Sequence, residues 1–124
     1  MIITKFEDII AWKKSQDFAV EIYLSFKDVK DYSLKDQLFR SVISISNNIA
    51  EGFDRNSDLD FNRFLMISKS SCNETKSMLY LAARLGLISQ EKKDLLLSQA
   101  EEIQKIITGL SKSLKRYPQK AKFT

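Results

Sequence analysis

One proline and three glycines are the only residues of their kinds in this chain of 124 residues. Proline lacks the backbone N–H that a helix needs, and glycine loses the most backbone freedom when held in one. So few breakers in so long a sequence argue for long helices joined by short connections. Apolar residues recur at intervals of three and four in successive segments, and no stretch has the sustained alternation of a strand. The expected fold is all-α.

Four segments can be read. The first spans about Glu7 to Phe26, with Thr4 and Glu7 at the spacing of a capping box and an apolar set of Phe6, Ile10, Ala11, Phe18, Ala19, Ile22 and Phe26. Ser33 opens the second, with Asp36 three positions on. Its main stripe is Leu38, Val42, Ile45 and Ile49, with Phe39, Ile43, Ala50 and Phe53 beside it, and Gly52 is placed to close it in a left-handed conformation. Ser57 and Asp60 repeat the cap spacing for a third helix over 58–85, stopped by Gly86, whose inner face is Phe61, Phe64, Leu65, Ser68, Cys72, Thr75, Leu79 and Ala82. Ser89 caps the fourth, carried by Leu95, Leu96, Ile103, Ile106, Ile107, Leu110 and Leu114 to about Tyr117, and Pro118 ends it. Short links favour an antiparallel up-down-up-down four-helix bundle over 1–117, followed by a short basic C-terminal tail at 118–124.

Hydrophobic residues make up 44% and charged residues 29%, the balance of an ordinary globular domain. No apolar run approaches the roughly 20 residues of a membrane span, and the first residues lack the pattern of a signal peptide. The lone Cys72 cannot form an intrachain disulfide, so the expected location is the cytoplasm. The net charge of +4 is unevenly spread. Lys112, Lys115, Arg116, Lys120 and Lys122 face no acid, while the other 15 basic residues face all 16 acidic ones. The body is near neutral and the C-terminal end basic.

The absence of histidine removes the commonest general base and metal ligand. No glycine-rich phosphate loop occurs. Cys72 falls on an inner stripe and reads as a small buried apolar residue rather than a nucleophile. Glu51 and Glu74 read as part of a polar clamp with Arg40 and Asn48, between helices or between subunits, rather than as a catalytic pair. The expectation is a protein that is not an enzyme and needs no cofactor or metal.

The apolar stripes are wider than one bundle core requires. Phe39, Ile43 and Ala50 lie beside the main stripe of the second helix, Phe64-Leu65-Met66-Ile67 covers most of a turn of the third, and Leu95-Leu96-Leu97 does so in the fourth. The surplus is read as a second buried surface, most simply a subunit interface, against the alternative of a thick core with harmless exposed residues.

The segment Gln37-Leu38-Phe39-Arg40-Ser41-Val42-Ile43-Ser44-Ile45-Ser46-Asn47-Asn48-Ile49-Ala50-Glu51-Gly52 resembles the signature of bacterial four-helix bundle proteins encoded by intervening sequences within 23S ribosomal RNA genes. Gln37, Leu38, Arg40, Ser44, Ile45, Asn48, Ile49, Ala50, Glu51 and Gly52 carry the match. Trp12-Lys13-Lys14, Ile22-Tyr23, Ser71 to Glu74 and Leu85-Gly86-Leu87-Ile88 are similar too. The family often has alanine at Ser41, proline at Ser46 and glycine at Ser70. The resemblance implies a four-helix bundle assembled into a ring-like homopentamer. A related group, the accessory variability proteins of diversity-generating retroelements, works beside a reverse transcriptase and binds nucleic acid.

Two functions lead: binding RNA or DNA through backbone phosphates, or serving as a structural or adaptor oligomer for another protein. Candidate phosphate contacts are Lys13, Lys14, Arg40, Arg55, Arg63, Lys69, Arg84, Lys112, Lys115, Arg116, Lys120 and Lys122. Each alone is more simply a solvated charge on a helix face. No aromatic-rich platform for base stacking is recognisable, so any binding is expected to favour backbone over sequence. Whether the basic residues cluster on one surface or lie dispersed among acids discriminates the two readings.

Overall fold

The computed structural model describes residues 3–116. Among them are four α-helices and no strand: α1 (Ile10–Phe26), α2 (Tyr32–Phe53), α3 (Asp58–Arg84) and α4 (Gln90–Arg116), with a 3₁₀ turn at Phe6–Asp8 before α1. The all-helical expectation is met. Tyr117 and the segment 118–124, including Lys120 and Lys122, lie outside the described residues.

Capping decides where each helix begins. Ser57 Oγ accepts from Asp60 N–H at 3.1 Å and Ser89 Oγ from Lys92 N–H at 3.0 Å, as their spacing predicts. The other two starts differ from expectation. Asp31, not Ser33, caps α2, its Oδ1 accepting from Leu34 N–H at 3.1 Å. A carboxylate two residues upstream reaches the free N–H groups first. No capping box forms at Thr4 and Glu7, because the chain there is a 3₁₀ turn whose N-cap residue, Lys5, makes no side-chain cap bond. Ile9 follows in an extended conformation, φ −75° and ψ 120°, and α1 starts one residue later. The expected face of α1 is kept at Ala11, Phe18, Ile22 and Phe26, and only its first position changes. Ile9 is buried in place of Ile10, which is 59% exposed, and Ser15 turns inward to donate to Ala11 O at 2.6 Å.

The end of α3 obeys the glycine rule. Gly86 has φ +74°, Leu87 N–H reaches back to Ala82 O at 2.9 Å, and Gly86 N–H to Ala83 O at 3.0 Å. These two bonds satisfy carbonyls the helix would otherwise leave free. Gly52 has a different job from the one expected. It is helical and has no positive φ. A Cβ there would collide with Phe64 Cβ and stand 3.1 Å from Phe61 Cδ1, so its lack of a side chain lets α2 and α3 converge.

Each helix packs against the next, and α4 returns against α1. Phe18, Ile22 and Phe26 of α1 meet Leu38, Ile45 and Ile49 of α2, Phe61, Leu65 and Leu79 of α3, and Leu96, Ile103 and Ile107 of α4 in one core. The whole predicted stripe of α2 is buried. Phe64, expected inside, is half-buried, with the Arg55 guanidinium 4.5 Å from its ring centre.

Between α2 and α3 lies a seam of hydroxyls. Ser41 Oγ and Thr75 Oγ1 pair at 2.8 Å, Ser44 Oγ and Ser71 Oγ at 2.8 Å, and Ser68 Oγ donates to Ile45 O at 2.7 Å. Small side chains let the two backbones approach, and each buried hydroxyl finds a partner, as it must.

Candidate nucleic-acid interface

The predicted basic residues separate into groups with different environments. Arg55 is ion-paired with Glu51 at 3.3 Å, Arg63 with Asp60 at 2.7 Å, and Lys14 with Glu102 at 3.5 Å. These charges are dispersed among acids, and pairs this exposed contribute about 0–1 kcal/mol each. Lys13, Arg40 and Arg84 are exposed on α1, α2 and α3. Asn62 and Ser111 are hydrogen-bonded, which brings the start of α3 to the end of α4 and places Arg63 near the same end as Lys112 and Lys115. Arg116 is the last residue of α4.

The polar clamp does not form within the chain. Arg40 and Glu74 are exposed with no hydrogen bond or ion pair to Asn48 or Glu51. Asn48 Nδ2 turns back along its own helix to Ser44 O and Ser44 Oγ, both at 2.8 Å. Glu51 serves Arg55 one turn on. The physical reason is the hydroxyl seam: α2 and α3 come so close through small side chains that long charged ones are pushed to the rim.

One surface does gather positive charge. An open groove of about 560 Å³ between α3 and α4 is lined by Lys76, Glu101, Gln104, Lys105, Thr108, Gly109 and Lys112. Lys76 Nζ is held by Glu101 Oε2 at 3.5 Å and Gln104 Oε1 at 3.3 Å. Gln104 Nε2 donates in turn to Asn73 Oδ1 at 2.6 Å and to Lys69 O at 3.5 Å. Lys105 and Lys112 are exposed and make no ion pair among the described residues. Three lysines against one glutamate leave the groove positive, and Thr108 and Gly109 keep its floor low. Lys76 and Lys105 are not among the basic residues that the sequence singles out. Their signal was spacing: Lys69 to Lys76 and Lys105 to Lys112 are each seven apart, two helical turns on one face.

Cys72 is fully buried, its Sγ 3.4 Å from Ala100 O. Burial pushes its thiol up to about 12, only partly opposed by the nearby Lys76 ammonium. It therefore stays protonated and unreactive at neutral pH. No group of three metal-ligating residues occurs among the described residues. No helix there is long and apolar enough to cross a membrane.

The description 23S rRNA-intervening sequence protein matches residues 7–109. The chain belongs to that family. A solved structure of a protein of unknown function from the S23 ribosomal protein family of Bacteroides thetaiotaomicron is similar, with 31% identity and a TM-score of 0.78, over 83% of this chain and 99% of that one. No curated protein matches. Within this intervening-sequence protein, Ser41 and Ser46 tie α2 to its neighbours. Ser41 joins Thr75, and Ser46 Oγ accepts from Gln16 Nε2 at 3.0 Å, tying α2 to α1.

Proposed function

We propose that this protein is a non-catalytic, cytoplasmic bundle that binds RNA or DNA through backbone phosphates, with the α3–α4 groove as its main contact. The observation that carries the reading is the pair of exposed ammonium groups on Lys105 and Lys112, without an ion pair among the described residues, beside the anchored Lys76. Phosphates are the ligand that such a strip of point charges fits, and they carry no sequence information. In this reading the helices alternate up and down. Support comes from the order of the α2–α3 pairs, in which Ser41, Ser44 and Ile45 meet Thr75, Ser71 and Ser68.

The protein in this reading is a ring-like homopentamer. The family resemblance favours it, and so do the apolar side chains left outside the core. Leu59, Ile67, Leu81 and Leu85 are each about half exposed or more along α3 and its end. A ring would repeat the groove around its circumference and multiply its field. Light scattering coupled to size exclusion is expected to give five times the chain mass, and a stable monomer at micromolar concentration would remove the assembly from this picture.

The test of binding is an anisotropy titration with structured RNA and duplex DNA at several salt concentrations. A site contacting about six phosphates should lose roughly a thousandfold in affinity between 50 and 200 mM salt. Replacing Lys105 and Lys112 by glutamine should weaken binding to both and reduce the salt slope by about two. Absence of binding below about 10 μM at 50 mM salt, where non-specific binders are well populated, would hand the function to the adaptor reading. Binding indifferent to salt would locate the contact energy away from the phosphates.

A further inference from the structure

On the face formed by α1 and α2, the rings of Tyr23 and Phe39 stack with centres 5.0 Å apart and planes 27° from parallel. Lys35 Nζ donates to Lys27 O at 3.0 Å, which fixes it 5.4 Å from the ring centre of Tyr32 and 5.9 Å from that of Phe39. One immobilised ammonium therefore joins two rings, and a third ring stacks on one of them. Tyr23 is 60% exposed and Tyr32 65%. Val20 and Leu24 on the same helix as Tyr23, and Ile43 one turn beyond Phe39, are also about half exposed. The α3–α4 groove uses none of these residues.

An occupant of this cluster has to offer flat apolar faces and negative charge together. An apolar helix offers the first without the second and would leave the Lys35 charge unmatched. A carboxylate-rich peptide offers the second without the first. An unpaired nucleotide offers both: its base lies on an aromatic ring, and its phosphate accepts from the ammonium, which has three donors and spends one on Lys27 O. The neighbouring acids do not block this. Asp31 is committed to the Leu34 N–H, while Asp28 and Asp36 balance Lys27 and Lys30, so residues 27–36 hold three lysines and three aspartates. With no net charge in that stretch, the attraction is stacking plus one local ammonium, and it differs in kind from the ionic groove.

We propose that Tyr23, Tyr32, Phe39 and Lys35 form a stacking site for unpaired nucleotides, so that the protein prefers single-stranded over fully paired nucleic acid. The proposal rests on the nucleic-acid reading above and adds a second surface to it.

The probes are a labelled oligothymidylate of about a dozen nucleotides, enough to span a single-strand site, and an abasic strand of equal length. The wild-type protein is expected to bind the base-bearing strand about tenfold or more tightly than the abasic one, the usual worth of one or two stacked bases. Tyr23→Ala with Tyr32→Ala should bring the base-bearing strand down to the abasic level, at 50 and 200 mM salt alike. Tyr23→Phe should keep most of the preference. The Lys105 and Lys112 glutamine variant should weaken both strands equally and lose its effect at high salt. If the wild type binds both strands equally while the lysine variant still weakens them, the stacking site is wrong and the phosphate reading stands. If neither strand binds, the nucleic-acid reading fails and takes this site with it. A changed assembly mass in the tyrosine double variant, with the preference for bases intact, would assign the cluster to contact between copies and overturn the proposal.

Discussion

Gly52→Ala is expected to destabilise the fold by about 2–3 kcal/mol, the upper range for an overpacked interior. The sign is the informative part. Gly52 is helical, and alanine is preferred over glycine in a helix by about 1 kcal/mol. A purely local effect would therefore stabilise. The opposing term is steric: the new methyl group would overlap Phe64 Cβ, an atom fixed by the backbone of α3 that no rotamer change can remove. Phe61 Cδ1 at 3.1 Å closes the remaining space, and Phe61 is itself held by an edge contact with Phe53. The helices have to separate, which also stretches the hydroxyl seam beside them. Denaturant unfolding should show a lower midpoint with little change in slope, and thermal melting a fall of roughly 6–12 °C. Stabilisation by the alanine would mean that α2 and α3 are not as close as described. Phe61→Ala should not rescue the variant, because the Phe64 overlap persists.

Phe18→Ala should cost more, about 3–5 kcal/mol, as for other buried phenylalanines. Phe18 is 2% exposed and lines the same recess as Ile103 of α4. A polar recess of about 140 Å³ already exists there, bounded by Lys14, Asp17, Phe18, Gln99, Glu102 and Ile103. Removing the ring joins the new space to that recess, so water reaches Ile103 and the core behind it. A loss of that size is a large part of the 5–15 kcal/mol typical of a whole domain. Urea unfolding followed by circular dichroism measures it, and a loss below about 1 kcal/mol would show that α1 is held mainly by α2.

Much of the fold was legible because it rests on local rules. Ser57, Ser89 and Gly86 act where their spacing to the apolar stripes puts them, since cap and C-terminal chemistry involve only the next few residues. Ile10 was misplaced for one reason: the extended Ile9 just before α1 takes the buried position, while Ala11, Phe18, Ile22 and Phe26 keep the face read for them. Gly52 was misread because a glycine near a helix end has two uses, and only the position of Phe64 tells them apart.

The site was less legible. Lys76 becomes part of a groove through Glu101 and Gln104, some 25 or more residues away in the chain. The stack of Tyr23 on Phe39 spans the α1–α2 connection, so the linear sequence shows scattered aromatics where the fold assembles a cluster. Arg40 and Glu74, expected in a clamp between helices or between subunits, lie exposed in the single chain, beside a seam of small hydroxyl side chains that holds α2 against α3.

Those serines also solve an alignment problem. Leu and Ile stripes are nearly self-similar under a shift of one helical turn, about 5.4 Å, so apolar packing alone would leave α2 and α3 with several sliding positions of comparable energy. Ser41, Ser68 and Thr75 remove that degeneracy. Each is buried, and each meets its partner at one offset only: Ser41 opposite Thr75, Ser68 opposite the Ile45 carbonyl. A slide of one turn would break the Ser41–Thr75 pair and take Ser68 from the Ile45 carbonyl. Ser41 and Thr75 would keep the carbonyls of their own helices, Leu38 O at 2.9 Å and Ser71 O at 3.0 Å, so the penalty falls mainly on Ser68, at about 1–3 kcal/mol if it is left unsatisfied. The seam works as a ratchet tooth, contributing little to cohesion at the correct setting and penalising every other one.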